Sequence, residues 1–218
     1  MASSIVPSSF THVRPATSGA GTALGAAAAV GDVIVVFSGD GGGVTATAAC
    51  TGATCTLASQ KQQIGNDGLV VTTVFTGTVT GAGTPTIAVT SAGGNLRWDG
   101  LIISGLSSAT AHAVTGGTFP ADAGVYSASV TTTVTCTLLN YWADNSLDPF
   151  VSWLLSATEL SSDAVAAWSG SAYLLDQVGG TYAMGMNSTG SGSNRLSMIT
   201  LALPTDLGIN NRIFYIRA

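Results

Sequence analysis

The chain has 218 residues, with 6 Lys and Arg against 11 Asp and Glu, a net charge of −5 and a sequence pI near 4.5, and so lacks the basic clusters that binding to nucleic acid or an anionic membrane requires. Only 8 % of its residues are charged, where an average soluble protein has roughly 25 %. With 46 % hydrophobic residues and abundant Val, Ile, Thr and Leu it is no disordered chain, and its Thr, Ser, Ala and Gly surface predicts a protein that folds and then associates.

In chain order, residues 1–29, beginning MASSIVPSSFTHVRPATSGAG, read as an extended amino-terminal arm suited to lying on a neighbouring subunit. This segment lacks the basic start and apolar block of a secretory signal; the apolar stretch ALGAAAAVGDVIVVF (23–37) begins too late and contains Asp32. No apolar run reaches the roughly 18 residues of a membrane-spanning helix.

Residues 30–218 read as a single domain. Glu159 is the sole glutamate and Lys61 the sole lysine, while Thr- and Val-rich runs recur between clusters of Gly, Ser, Asn and Asp. Strands are predicted at 32–39, 43–49, 69–79, 85–92, 97–106, 126–139, 149–157, 171–178, 181–187, 195–203 and 212–218, joined by β-turns. The fold class is therefore all-β, an antiparallel β-sandwich of jelly-roll type. At most one short helix is expected, at 161–168, where Ser162 or Asp163 caps one or two turns.

The runs VIVVF (33–37) and FVSWLL (150–155) are continuously apolar and predict central strands covered on both faces. Each follows an aspartate, Asp32 or Asp148, and leads into a polar turn. This hints that the two halves of the chain are built alike, but they do not align and no repeat is claimed.

The glycine cluster GDGGG (39–43) raises the question of phosphate binding. A phosphate-binding loop needs a following Gly-Lys-Ser/Thr or a helix whose amino-terminal dipole meets the anion. Here VTATAAC follows, a strand pattern with no lysine, and Asp40 would repel phosphate. The cluster reads as a turn.

No catalytic residue, cofactor site or metal ligand is assigned. His12 lies in the polar amino-terminal stretch and His112 in a loop, and no G-x-S-x-G elbow accompanies either. Asp40, Asn66, Asp67, Asp144, Asn145 and Asp148 are oxygen ligands on loops, without the spacing of a known calcium motif, and turn chemistry explains them better. Glu159 would need a second acid, Asp163 or Asp176, across a groove for glycoside hydrolysis. Cys50 and Cys55 are close enough in sequence for a hairpin disulfide, which assembly in a cytosol would keep reduced; with Cys136, a strand residue, they make no zinc set. Of four tryptophans, Trp153 reads as core and Trp142, beside Tyr141, as partly exposed at a loop; Trp98 and Trp168 complete the set.

The succession GDVIVVF, TGTVTGAGTPTIAVTSAGG, DGLIISGL, SASVTTTVT and PFVSWLLSA is similar to a pattern in β-sandwich virion structural proteins of tailed bacteriophages, over about residues 30 to 203. The resemblance implies a non-enzymatic, homo-oligomeric protein, trimers being common, assembled in the host bacterial cytoplasm and located in the virion. Its partners would be the major capsid protein or other virion proteins, with no nucleic acid and no membrane. Capsid decoration or cementing is the first expectation, because a fibre usually carries repeats or a coiled-coil shaft. A tail or fibre component and a carbohydrate-binding or adhesin module are the alternatives.

Overall fold

The computed structural model describes residues 2–65, 68–119, 124–144, 150–162, 169–188 and 196–206. The first half of the chain contributes β1 (Ser4–Ile5), β2 (Thr11–Val13), β3 (Gly21–Ala23), β4 (Val33–Asp40), β5 (Thr47–Thr51), β6 (Thr54–Cys55), β7 (Ala58–Ile64), β8 (Val71–Gly81), β9 (Thr86–Thr90) and β10 (Arg97–Ser104). The second half contributes β11 (Ala113–Thr118), β12 (Val125–Thr132), β13 (Cys136–Ala143), β14 (Phe150–Trp153), β15 (Thr158–Ser162), β16 (Ser169–Gln177), β17 (Gly180–Ser188) and β18 (Ser197–Pro204). The pairings between them are antiparallel, and the one helical element among the described residues is a 3-10 turn, Leu154–Ser156. The chain is an all-β, antiparallel sandwich, as its composition and turn spacing predict.

Four sheets form a stack. Along β4, Val33, Val35 and Phe37 face Leu139, Tyr141 and Ala143 of β13 in one core. The alternating Ile34 and Val36 face Ile87 and Val89 of β9 in a second core. The inner sheet of the first half is thus sandwiched between its own outer sheet, β3–β9–β5, and the inner sheet of the second half. On the far side, Trp142 and Met198 from the second inner sheet meet Tyr126 and Met186 of the outer sheet β12–β17–β14. Burial on both faces is why VIVVF reads as an unbroken apolar run rather than an alternation.

The two halves have the same topology. In the first, the inner sheet runs β2–β10–β4–β8–β7, with β1 also on β10 and β6 also on β8 and neither having a counterpart among the described residues, and the outer sheet runs β3–β9–β5; in the second, the inner sheet runs β11–β18–β13–β16–β15 and the outer sheet β12–β17–β14. The order β2–β10–β4–β8 over β3–β9–β5 is that of a jelly roll in which β7 has joined β8 instead of the outer sheet, and β15 repeats that departure beside β16. Register fixes the correspondence residue by residue. Gly39 pairs with Arg97 as Ala143 pairs with Ser197, and Phe37 pairs with Val74 as Tyr141 pairs with Ser171. Equivalent residues then touch each other: Phe37 and Tyr141 stack, and a Cβ added to Gly39 would lie 2.5 Å from the Cβ of Ala143. Contact between equivalent positions is what a local two-fold axis produces, so the halves pack like the subunits of an isologous dimer.

The sequence hint of two similar halves thus has a structural basis, but through other elements. The counterpart of β4 is β13, not the segment containing FVSWLL. That segment forms β14, an edge strand of an outer sheet, where Val151 is 52 % exposed, followed by the 3-10 turn in which Leu155 is 50 % exposed. The predicted strand 126–139 is two strands, β12 in the outer sheet and β13 in the inner sheet, between which the chain crosses at 133–135, where the Thr-rich alternation hides the break. Residues 161–162 end β15, and the rest of the helix expected at 161–168 lies outside the described residues, as do the strand expected at 212–218 and Trp168.

The segment 1–29, read as an arm, is over its described residues the first part of the first jelly roll. β1 and β2 both pair with β10, β3 pairs with β9, and Leu24 and Ala28 are buried. Between β1 and β2 the Ser9 hydroxyl accepts from Ile102 N–H at 3.1 Å, bridging the gap in the ladder. Ser, Thr and Gly resemble a flexible arm in composition, yet an edge strand needs little beyond its backbone bonds.

Candidate functional site

The glycine cluster is a turn built by close approach. Asp40 Oδ1 accepts from Gly42 N–H at 2.6 Å, and Gly41 N–H donates to Gly94 O at 3.2 Å. Gly43 adopts φ +71°, and a Cβ there would lie 2.4 Å from Gly68 O. Three loops meet at this corner, and glycine is what lets them. Asp40 is itself buried, and its carboxylate already takes the Gly42 N–H of this turn. Asp32 has a parallel role at the start of β4, where Oδ2 accepts from Ala29 N–H at 2.8 Å and Oδ1 from the Ser104 hydroxyl at 2.7 Å.

The densest polar cluster lies on the seam between the halves. His12 Nδ1, on β2, sits 2.6 Å from Asp99 Oδ1 on β10. Asp99 Oδ2 accepts from the hydroxyls of Ser161 on β15, at 2.7 Å, and of Ser171 on β16. Asp99 is fully buried, and a buried carboxylate is tolerable only when its oxygens are engaged in this way. The residue types are those of a catalytic triad, but the order is not. A triad places the imidazole between serine and carboxylate, so that it can take the serine proton. Here the carboxylate stands between, and the two serine hydroxyls point at it. The arrangement is a clamp that joins the amino-terminal strand, the first inner sheet and the second inner sheet.

A second clamp lies at the other end of the amino-terminal segment. Ser3 Oγ donates to Asp176 Oδ1 at 2.7 Å and lies 2.5 Å from Thr137 Oγ1, and Ser3 N–H reaches the same carboxylate oxygen at 3.1 Å. Residues at the start of the chain thereby bind the second half at two points.

The other residues weighed from sequence fall into place separately. His112 is exposed, and its Nε2 accepts from Thr133 N–H at 3.1 Å. Glu159 accepts from Trp153 Nε1 at 3.1 Å, and Asp176 belongs to the Ser3 clamp, so these two acids serve different contacts; Asp163 lies outside the described residues. Trp142, expected to be partly exposed, is fully buried, because β13 continues through it and carries the ring into the core with Tyr126 and Met186. Trp153, expected in the core, is half-buried on the edge strand β14. Trp98 is buried.

Among the described residues no group of three His, Cys, Asp or Glu side chains could hold a metal ion. Asp40 and Asp144 are buried, and Asn66, Asp67, Asn145 and Asp148 lie outside the described residues. All three cysteines are free thiols; burial pushes Cys55 and Cys136 up to about 11 and raises Cys50 as well.

The outer sheets at opposite ends of the stack are distinguished by their composition. The strands β3, β5, β9, β12, β14 and β17 contain no Asp, Glu, Lys or Arg. Thr47, Ala49 and Thr51 are exposed on one sheet, and Ser129, Thr131, Thr181 and Ala183 on the other. Two neutral, small-residue faces carry neither the charge that keeps proteins apart nor the long side chains whose ordering opposes contact. Sequence reasoning predicted a surface of this composition but could not place it; it also missed Asp99, Ser161 and Ser171, which no local motif marks.

No protein-family model matches the chain, and neither a curated protein nor a solved structure shows significant similarity to it.

Proposed function

We propose that this chain is a non-enzymatic structural protein of a tailed-bacteriophage virion, a decoration or cement protein that stabilises the shell through contacts with the major capsid protein. The observation that carries the reading is the absence of charged residues from every strand of both outer sheets. A protein with neutral faces at opposite ends of a rigid stack is suited to bridging neighbouring subunits, or to packing against further copies of itself in a trimer. The strand succession, which resembles that of phage virion sandwiches, supports the same reading. A sugar-binding module calls for exposed aromatic platforms, and Trp98 and Trp142 are buried while the indole N–H of Trp153 is engaged by Glu159.

The reading is tested on particles that lack the protein. Purified chain added back should bind them and raise the temperature at which shells rupture and release DNA; particles that neither bind it nor change in rupture temperature would exclude a cementing role.

A further inference from the structure

We infer that Cys50 and Cys55 are a redox-sensitive pair that closes into a reversible disulfide, stapling the outer sheet of the first half to its inner sheet. Cys50 is on β5, which pairs with β9 in the outer sheet; Cys55 is on β6, which pairs with β8 in the inner sheet. Four residues separate them, and the turn between is fixed by Gly52 at φ +77°, where a Cβ would lie 2.3 Å from Thr84 O. Cys50 Sγ lies 3.7 Å from Thr51 O and 3.9 Å from Ala53 O, within the turn that leads to Cys55, and both cysteines pack against the same core. Both are half-buried, packed against the core between the two sheets, so an oxidant can reach them from the sandwich edge. Cys55 Sγ rests over Gly77, where a Cβ would approach to 2.5 Å, so the backbone leaves room for the sulfur. Cys136 is buried on the other side of the molecule and takes no part.

The chemistry needs a disulfide as oxidant, with oxidised glutathione as the probe. One thiol loses its proton and attacks the glutathione disulfide, releasing one glutathione thiolate and leaving a mixed disulfide. The second thiolate then attacks the protein sulfur and expels the other glutathione. Two protein thiols are oxidised, one glutathione disulfide is reduced to two thiols, and the protein loses two hydrogens. Because burial raises both thiols, closure is slow at neutral pH and accelerates as the solution is made alkaline.

The test is to incubate the full chain with oxidised glutathione at mildly alkaline pH, quench with acid and measure intact mass and linked peptides. The expected product is lighter by two hydrogens, carries a Cys50–Cys55 link with Cys136 still a thiol, reverts with dithiothreitol, and melts roughly 4–8 °C higher than the reduced chain. Cys50→Ser and Cys55→Ser should lose the link and the shift together. A stable glutathione adduct on the unaltered chain, a link through Cys136, or three intact thiols under conditions that oxidise a free peptide of residues 48–57 would overturn the inference. A lower melting temperature on oxidation would overturn the stapling role.

Discussion

Phe37 and Tyr141 stack with ring centroids 5.3 Å apart and planes 8° from parallel, and they occupy the same position in two topologically equivalent strands. The centre of the molecule is thus a contact of the fold with its own copy. Both rings are fully buried, with Val35, Leu139, Leu101 and Leu201 around them. Truncating either removes packing from both halves at once. Phe37→Ala or Tyr141→Ala should cost about 3–5 kcal/mol in denaturant unfolding, and probes in the two halves should still report a single transition in the unaltered protein.

Gly39 and Ala143 give a sharper test of the same seam. Gly39→Ala places a methyl 2.5 Å from the Ala143 methyl and close to Tyr141 Oη and Arg97 Nε, and should destabilise by about 1–3 kcal/mol. Combining it with Ala143→Gly removes the worst contact and should recover most of the loss. A double-mutant cycle on chemical denaturation measures the coupling, and strict additivity would mean the two positions do not meet.

Asp99 holds three side chains from three strands. Asp99→Asn keeps the shape but weakens the bonds to His12, Ser161 and Ser171, and should cost about 2–4 kcal/mol. Amide hydrogen exchange should rise in β2 and β15 together, since both are tied to this one carboxylate. Protection lost at one strand alone would show that the clamp is not shared.

The buried thiols make stability pH-dependent on the alkaline side. Cys55 and Cys136 ionise near 11 in the folded chain against an ordinary value of 9.0, because burial disfavours the thiolate. Their contribution is fully present below pH 9, where both states hold the proton. It is lost as the pH rises from 9 to 11, because the unfolded chain gives up its protons first. Denaturant midpoints in the reduced protein should decline across that window, and less so in Cys136→Ala once its own cavity cost is subtracted.

At the glycine corner, Gly43→Ala forces a side chain into φ +71° and against Gly68 O, so it should destabilise by more than about 1 kcal/mol. Inorganic phosphate should leave the melting temperature of the unaltered protein unchanged. A phosphate-dependent rise would reopen the anion-binding reading that Asp40 argues against.

Much of the fold was legible because burial on both faces writes itself into composition. Val33 to Phe37 have no polar interruption, since each alternate residue meets a core. The duplication was not legible, because equivalent positions need only fill equivalent space: Val36 corresponds to Asn140, whose amide reaches Thr200 Oγ1 at 2.9 Å, and Ser38 corresponds to Trp142. Trp142 was misread because Tyr141 before it and Asp144 after it look like a loop, whereas all of β13 is buried. The Asp99 clamp joins residues 62, 72 and 87 positions apart, distances over which a single sequence carries no pattern.

The most direct test of the proposed role is the copy number of this chain in purified virus particles, measured by quantitative gel densitometry against the major capsid protein. A decoration protein predicts a ratio near one to one or one fixed simple fraction of it. A handful of copies per particle would point instead to a tail or fibre part, and absence from the particle would contradict the virion assignment altogether.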